Sequence, residues 1–491
     1  MSDYNFKLPS RQSSKGIIVI FGKNIFKFIK NAILIFAAFF VSFKGSYDTK
    51  IIYGIVLLFL FFIIFSILKY LNFKFHITTD YFVLNQGILN KEKISIAKNK
   101  IQNVYIKQNI LQQLINVVSL SIESAGDKKT EVEIQALSVS KANALKELLL
   151  ENKTVETIDE VKEKEPTVYF KASIKKLILE GISENHLKSF IIILIFLIGI
   201  YKDFKDFLMS FKTETRFDAY FEFNETELLS VMIFNFVLVF LLLFAAFLFS
   251  VIKIFTENYD LKVIKKENGL EISKGLFNKI NLGLTPSRIQ NTDIKTNRFK
   301  QWLGLYKLNF TQAMVNKKQQ KHFAIIGLNK LQVNELVDKF YPKVFLSLVK
   351  LKPEKFFIYS SIVVYALIFL VLNIIFSFIS FKLFLINIPL LIFSVLSIIY
   401  SYKKAYYSID DKYLVVGQGK FIDTYTSFLE LHKVQSVSFE QTIFQKRRGL
   451  ASVIVYSSAK ELYISHIKET NAKSIIDYLL FKIESSKKDW M

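Results

Sequence analysis

Charge is absent from four long stretches of this chain and concentrated between them. Residues 51–68, 228–252, 356–381 and 383–402 contain no Asp, Glu, Lys or Arg, and each runs for at least 18 residues. At a rise of about 1.5 Å per residue, roughly 20 apolar residues cross a hydrocarbon layer of ~30 Å, so each stretch is long enough to span a membrane as a helix. The chain is 52% hydrophobic and yet 22% charged, which a soluble core does not accommodate. The reading is an integral membrane protein. Two shorter runs, 31–43 and 189–201, precede the first two long ones. They are charge-free for only 13 residues, but the lysines flanking them (Lys27, Lys30 and Lys44; Lys188 and Lys202) have stems that snorkel and lengthen the span. A re-entrant or surface helix is the alternative for each.

The runs then pair: 31–43 with 51–68, 189–201 with 228–252, and 356–381 with 383–402. A polar stretch follows each pair, at 73–185, 255–354 and 403–491. Six spans in three hairpins place both termini and all three polar stretches on one side. The loops inside the hairpins hold seven of the 65 Lys and Arg, and the 202–227 loop is acidic near Glu222, Glu225 and Glu227. Basic residues beside spans stay cytoplasmic, which puts the polar stretches in the cytoplasm. No small-residue cleavage site follows 31–43, so that segment reads as a retained anchor.

The polar stretches repeat one another. Lys100-Ile101-Gln102-Asn103-Val104, Arg288-Ile289-Gln290-Asn291-Thr292 and Lys433-Val434-Gln435-Ser436-Val437 share a register that holds without a gap for over twenty positions. Twelve residues after the Gln stand Leu114, Trp302 and Arg447, and fourteen after it stand Asn116, Gly304 and Gly449. At eighteen and twenty come Leu120/Ile122, Leu308/Phe310 and Val453/Val455, the alternation of a half-buried strand. Amphipathic segments at 138–150, 329–341 and 470–483 close the copies. Upstream of each motif lie short strand-like runs, such as Tyr81–Leu84, Leu270–Ile272 and Tyr413–Val416, each followed by a Gly. A module of short antiparallel strands plus one helix buries a core by curling its sheet under that helix. Ile101, Ile289 and Val434 are expected to point inward.

The basic-aliphatic-Gln-Asn pattern, the later Gly-Leu, the alternating strand and the closing helix resemble the bacterial pleckstrin-homology-like (PH-like) domain of YdbS/YdbT-type membrane proteins. The threefold layout of helix pair then domain is similar to the longer, YdbT-like type. Copy two fits best; copy one has Asn116 where Gly is expected, and copy three has Ser436 where Asn is expected. The resemblance implies an α-helical membrane protein of the bacterial cytoplasmic (inner) membrane, with six transmembrane helices in three hairpins. Three cytoplasmic PH-like domains, each a curled antiparallel β-sheet with a C-terminal helix, complete it. The expected divisions are helix pairs at 24–71, 186–254 and 355–402, PH-like domains at 73–150, 257–341 and 403–483, and linkers at 151–185 and 342–354.

Candidate sites are few. Gln102, Asn103, Gln290, Asn291 and Gln435 read mainly as structural amides that satisfy backbone groups and fix register, with a ligand pocket as the sharper alternative. Lys446-Arg447-Arg448, Lys317-Lys318 with Lys321, and Lys128-Lys129 are basic clusters. They are either solvated turns or contacts for anionic headgroups, at about 1 kcal/mol per nearby cation. Nucleic acid is not an expected partner, because no stacking platform or reading helix accompanies the charge. There is no Cys, so disulfides, thiolate sites and Cys nucleophiles are excluded. The five His never fall at metal-ligand spacing, and Gly417-Gln418-Gly419 lacks the rest of a phosphate loop. Neither a catalytic residue nor a cofactor is expected. The four long spans carry no ionisable group, which argues against active transport. The expected function is a non-enzymatic membrane scaffold whose PH-like domains bind a protein partner or the anionic membrane surface. The alternative, which the resemblance suggests, is an envelope-defence or transport-accessory subunit in antimicrobial-peptide resistance, acting with a smaller single-domain relative.

Overall fold

The computed structural model of the protein describes residues 4–42, 49–124, 131–150, 167–186, 189–193, 195, 228–266, 269–312, 320–379, 384 and 387–485. Three successive repeats follow one plan, in which apolar helices lead into six short strands and a closing helix. The first comprises α1 (Gly16–Ser42), α2 (Thr49–Leu71), β1 (Lys74–Ile77), β2 (Tyr81–Gln86), β3 (Glu92–Ala97), β4 (Ile101–Gln108), α3 (Ile110–Leu114), β5 (Val118–Ser124), β6 (Glu131–Leu137) and α4 (Val139–Leu150). The second opens with β7 (Thr167–Lys171), α5 (Ile174–Ile182) and α6 (Leu228–Asn258). It continues through β8 (Lys262–Lys266), β9 (Gly269–Lys274), β10 (Lys279–Leu284), β11 (Ile289–Asn297), α7 (Arg298–Trp302), β12 (Tyr306–Gln312), β13 (Ala324–Leu328) and α8 (Lys330–Phe340). The third has α9 (Phe356–Ile379), α10 (Asn387–Lys404), β14 (Tyr406–Ile409), β15 (Tyr413–Gly419), β16 (Asp423–Glu430) and β17 (Val434–Glu440). It ends with α11 (Ile443–Lys446), β18 (Leu450–Ser457), β19 (Glu461–Lys468) and α12 (Glu469–Ser485).

Among the described residues, three helices are long and apolar enough to cross a membrane: Tyr53–Leu71, Phe236–Asn258 and Phe356–Phe378. That is half the expected number. In α1 the apolar run at 31–43 is preceded by Lys23, Lys27 and Lys30, and α10 is an 18-residue helix ending in Lys403 and Lys404. Most of the candidate at 189–201 falls outside the described residues. Helices nevertheless pack as neighbours within repeats. Phe21 of α1 meets Phe59 of α2 edge-on with ring centroids 5.0 Å apart. Tyr365 of α9 shares a 3.0 Å hydrogen bond with Ser397 of α10, and the Asn387 amide donates to the Asn373 side-chain oxygen at 2.6 Å. Side-chain hydrogen bonds of this kind hold helices together where lipid supplies no hydrophobic drive. The chain is therefore mixed rather than all helical.

The strands do not close into three separate sheets. Within a repeat, the first three strands form one antiparallel half and the last three another. The second half of each repeat then pairs with the first half of the next. The described strands thus form sheets in the orders β1-β2-β3, β6-β5-β4-β10-β9-β8-β7, β13-β12-β11-β16-β15-β14 and β17-β18-β19. The register is the same at both junctions. Ile106, four positions after Gln102, faces Asn281, nine before Gln290; Ile294, four after Gln290, faces Thr426, nine before Gln435.

The 151–185 stretch, expected as a linker, contributes β7 and α5; β7 lies against β8 as an edge strand. Its equivalents are Ser10, bridged to Phe75, and Leu351 of the 342–354 stretch, bridged to Tyr407. The segment ahead of each helix group therefore returns to the sheet that follows it. Three cores result: one around Phe75, Phe82 and Leu120, one around Leu308, Phe310 and Leu336 that also takes in Tyr105 of the first repeat and Tyr413, Val415 and Phe428 of the third, and one around Leu414, Val453 and Leu462. Ile101, Ile289 and Val434 are buried, as their register requires. Asn116, Gly304 and Gly449 all have left-handed backbones, with φ of 54°, 67° and 62°. Asn tolerates that region better than other side chains, so Asn116 preserves the turn that Gly makes in the other copies.

Candidate membrane-surface site

One turn recurs where each repeat meets its helices. Seven residues after the motif Gln, an Asn or Thr caps a short helix. Asn109 accepts from the Gln112 amide at 2.9 Å, Asn297 from Lys300 at 2.7 Å, and Thr442 from Gln445 at 3.2 Å. In the first and third repeats the Gln side chain reaches back to the cap amide, completing a capping box. The short helices hold apolar side chains out into the surroundings: Ile110 and Leu114, Phe299 and Trp302, Ile443 and Phe444. Leu89, at the β2–β3 turn, is fully exposed, and Phe277 occupies the same turn in the second repeat.

These turns lie at the feet of the apolar helices. In repeat one, Leu111 sits against Gly22 of α1, where an added Cβ would come within 3.0 Å of its side chain. In repeat two, Lys300 takes the place of Gln112 and Gln445 and is buried between Glu180 of α5 and Glu184, the latter at 2.6 Å. Burial raises the Glu184 carboxyl, but the Lys300 ammonium, assisted by Lys307, outweighs it and holds the pKa at about 2. The same Arg298–Trp302 helix places the Arg298 guanidinium 3.8 Å over the ring of Tyr400 in α10. In repeat three, Arg448 lies 4.6 Å over Phe356 and 5.6 Å over Tyr359, both in α9.

A cleft of about 680 Å³ opens beside Arg448, lined also by Glu354, Lys355, Lys468, Glu469 and Lys473. Glu469 is engaged: Lys473 bonds one oxygen at 2.7 Å and the Gln441 amide donates to the other at 2.9 Å. These contacts draw its carboxyl below the usual range. Lys355, Arg448 and Lys468 are the remaining cations around the cleft, with Glu354 as its other carboxylate. Lys446 and Arg447, exposed on the same turn, extend the positive rim. Of the other candidate cations, Lys321 pairs with Glu257 at 3.6 Å, at the foot of α6. Lys317, Lys318, Lys128 and Lys129 lie outside the described residues.

The motif amides are elsewhere, at the junctions between repeats. Asn103 donates to the Gln312 side chain at 2.9 Å and accepts from Arg288 at 3.3 Å. At the next junction Asn291 accepts from Ser457 at 2.6 Å. Gln312 and Ser457 occupy one repeat position, so the Asn of each copy addresses the same place in its successor. Gln290 is buried at the second junction, whereas Gln435 and Ser436 are exposed. No described repeat of this chain follows the third. Lys355, Lys468 and Lys473 were not recognisable as site residues, because the cleft brings together segments more than a hundred residues apart. The caps at Asn109, Asn297 and Thr442 did carry a sequence signal, a polar residue three before Gln, Lys and Gln at one register position.

A family profile described as Bacterial PH domain matches the chain at residues 31–153, 211–343 and 358–482. The UPF0699 transmembrane protein YdbT of Bacillus subtilis (strain 168) is 25% identical over 505 residues, covering 96% of this chain and 98% of that one. No solved structure matches the chain.

Proposed function

Because this chain belongs to the bacterial PH domain family, matched in three places, we propose that it is a non-enzymatic membrane scaffold whose repeats lie against an anionic leaflet. The observation that carries this reading is the recurring turn at the helix feet, which turns apolar side chains outward in all three repeats and adds basic ones in the second and third. A side chain such as Trp302 or Phe444 gains by entering the interfacial zone, and the cations of the Arg448 cleft meet headgroup phosphates there. Six spans in three hairpins, with the repeats on the cytoplasmic side of the inner membrane, complete the proposal. The distribution of Lys and Arg supports that orientation.

Native mass spectrometry of the full chain, released from anionic membranes, tests the headgroup contact. Replacing Lys446, Arg447 and Arg448 by Ala removes about 1 kcal/mol per cation, which is roughly a hundredfold in lipid retention. Equal retention by parent and variant would show the cluster to be a solvated turn.

A further inference from the structure

The shared sheets leave the array unfinished at both ends. At each junction the fourth strand of one repeat pairs with the third strand of the next: β4 with β10, β11 with β16. The corresponding edge of β17 meets no described strand, and neither does the outer edge of β3. We propose that these two edges are complementary, and that β17 of one chain takes up β3 of a second copy in the junction register.

Three observations support it. First, β17 is exposed along most of its length, where β4 and β11 are largely buried. Phe439 in particular is uncovered, although its counterpart Ile106 is buried and Ile294 half-buried by the following repeat. Second, the basic residue of the motif reaches back to its predecessor. Arg288 donates to the Ile101 carbonyl at 3.2 Å, and Lys433 to the Ile289 carbonyl at 2.7 Å. Lys100, at the same position in repeat one, is exposed and would find the Val434 carbonyl of a preceding chain. Third, in the topology proposed above the helices of neighbouring repeats share one bilayer, so the operation relating repeats preserves the membrane plane. Applying it once more leaves the second chain's helices in the same membrane. The contact is heterologous, a head-to-tail strand addition that extends the array in the plane.

The register makes the pairing specific. Val437 falls opposite Ser95, Ser438 opposite Ile94, and Glu440 opposite Glu92. Like charges directly opposed weaken an antiparallel pair, so the association is reversible. The inference rests on strand geometry and stands whether or not the rim binds anionic lipid.

The chain has no Cys, so engineered thiols report this contact alone. Opposed residues in an antiparallel pair bring Cα atoms to about 4.5–5.5 Å, within disulfide reach. Two full-length chains with different tags are co-expressed, one carrying Val437→Cys and the other Ser95→Cys, and the membranes are oxidised. A disulfide-linked species bearing both tags is expected, with none when either variant is expressed alone. Ser438→Cys with Ile94→Cys repeats the test one register step away, and adding Glu440→Lys increases the yield. Crosslinking by Val437→Cys alone would mean symmetric β17 pairing, and a disulfide only to another protein would mean a different occupant. Either result, or no bond from both pairs in properly folded chains, overturns the proposal; an unchanged or lower yield with Glu440→Lys overturns the register.

Discussion

The ammonium of Lys433 donates a 2.7 Å hydrogen bond to the backbone carbonyl of Ile289, across the junction between the second and third repeats. It also pairs with Glu430 at 2.6 Å and is almost wholly buried. A side chain that satisfies its neighbour's backbone at a strand end holds two repeats in register. Replacing Lys433 by Met removes a charged donor from a buried acceptor and should cost about 1–3 kcal/mol. Thermal unfolding of the full chain in detergent checks this, with the exposed Lys100→Met as the variant expected to melt like the parent.

The Lys300–Glu184 pair gives the protein a pH dependence at acid values. The Glu184 pKa in the folded protein, about 2, lies below its unfolded value of about 4.5. Its contribution to stability is therefore complete above pH ~4.5 and fades as pH falls toward 2. Parent protein should lose melting temperature through this window more steeply than Glu184→Gln. Lys300→Gln, which installs the residue found in the other two repeats, leaves Glu180 buried without its ammonium. It should cost about 3–5 kcal/mol at neutral pH.

Trp302 provides an optical reading of the membrane rim, because the chain contains only two Trp and the other, Trp490, is replaceable by Phe. In vesicles whose lipids carry bromine on the upper acyl chain, the Trp490→Phe protein should be quenched strongly. Quenching no greater than that of a water-exposed indole would place the turn away from the bilayer.

Labelling of single engineered cysteines in intact cells distinguishes six spans from fewer. Thiols at Ser46 and Thr213 should react with an impermeant reagent from outside, and those at Ser13, Ser138 and Lys487 should not. The Ser13 amide donates to the Ala136 carbonyl at 2.8 Å, so reaction at Ser13 and Ser138 together, without reaction at Lys487, would place the first repeat on the opposite side from the third.

What the sequence made legible was local and periodic. The apolar runs, the alternation through Leu120 and Ile122, and the common turn at Asn116, Gly304 and Gly449 all follow from short-range chemistry. The pairing of Ile106 with Asn281 does not, because strands separated by some 175 residues leave no trace in either segment's own pattern. For the same reason each repeat reads from the sequence as a self-contained barrel, although a fragment cut at 255–341 would lose β7, β4 and β16 together. Ser436 stood out as a departure from the motif. The contacts made at that position, Asn103 to Gln312 and Asn291 to Ser457, reach into the repeat that follows and are invisible in either segment alone.

Sheets built from halves of successive repeats also impose an order on biosynthesis. A chain made from its N-terminus presents β4 before β10 exists, and α6, long and apolar enough to cross a membrane, lies between the two in the chain. Insertion of the second helix group therefore comes before the first long sheet can be completed, and insertion of the third before the second sheet can. Membrane insertion and strand pairing proceed by turns, and a ribosome that stops after the second repeat releases a protein with β11 still waiting for its partner.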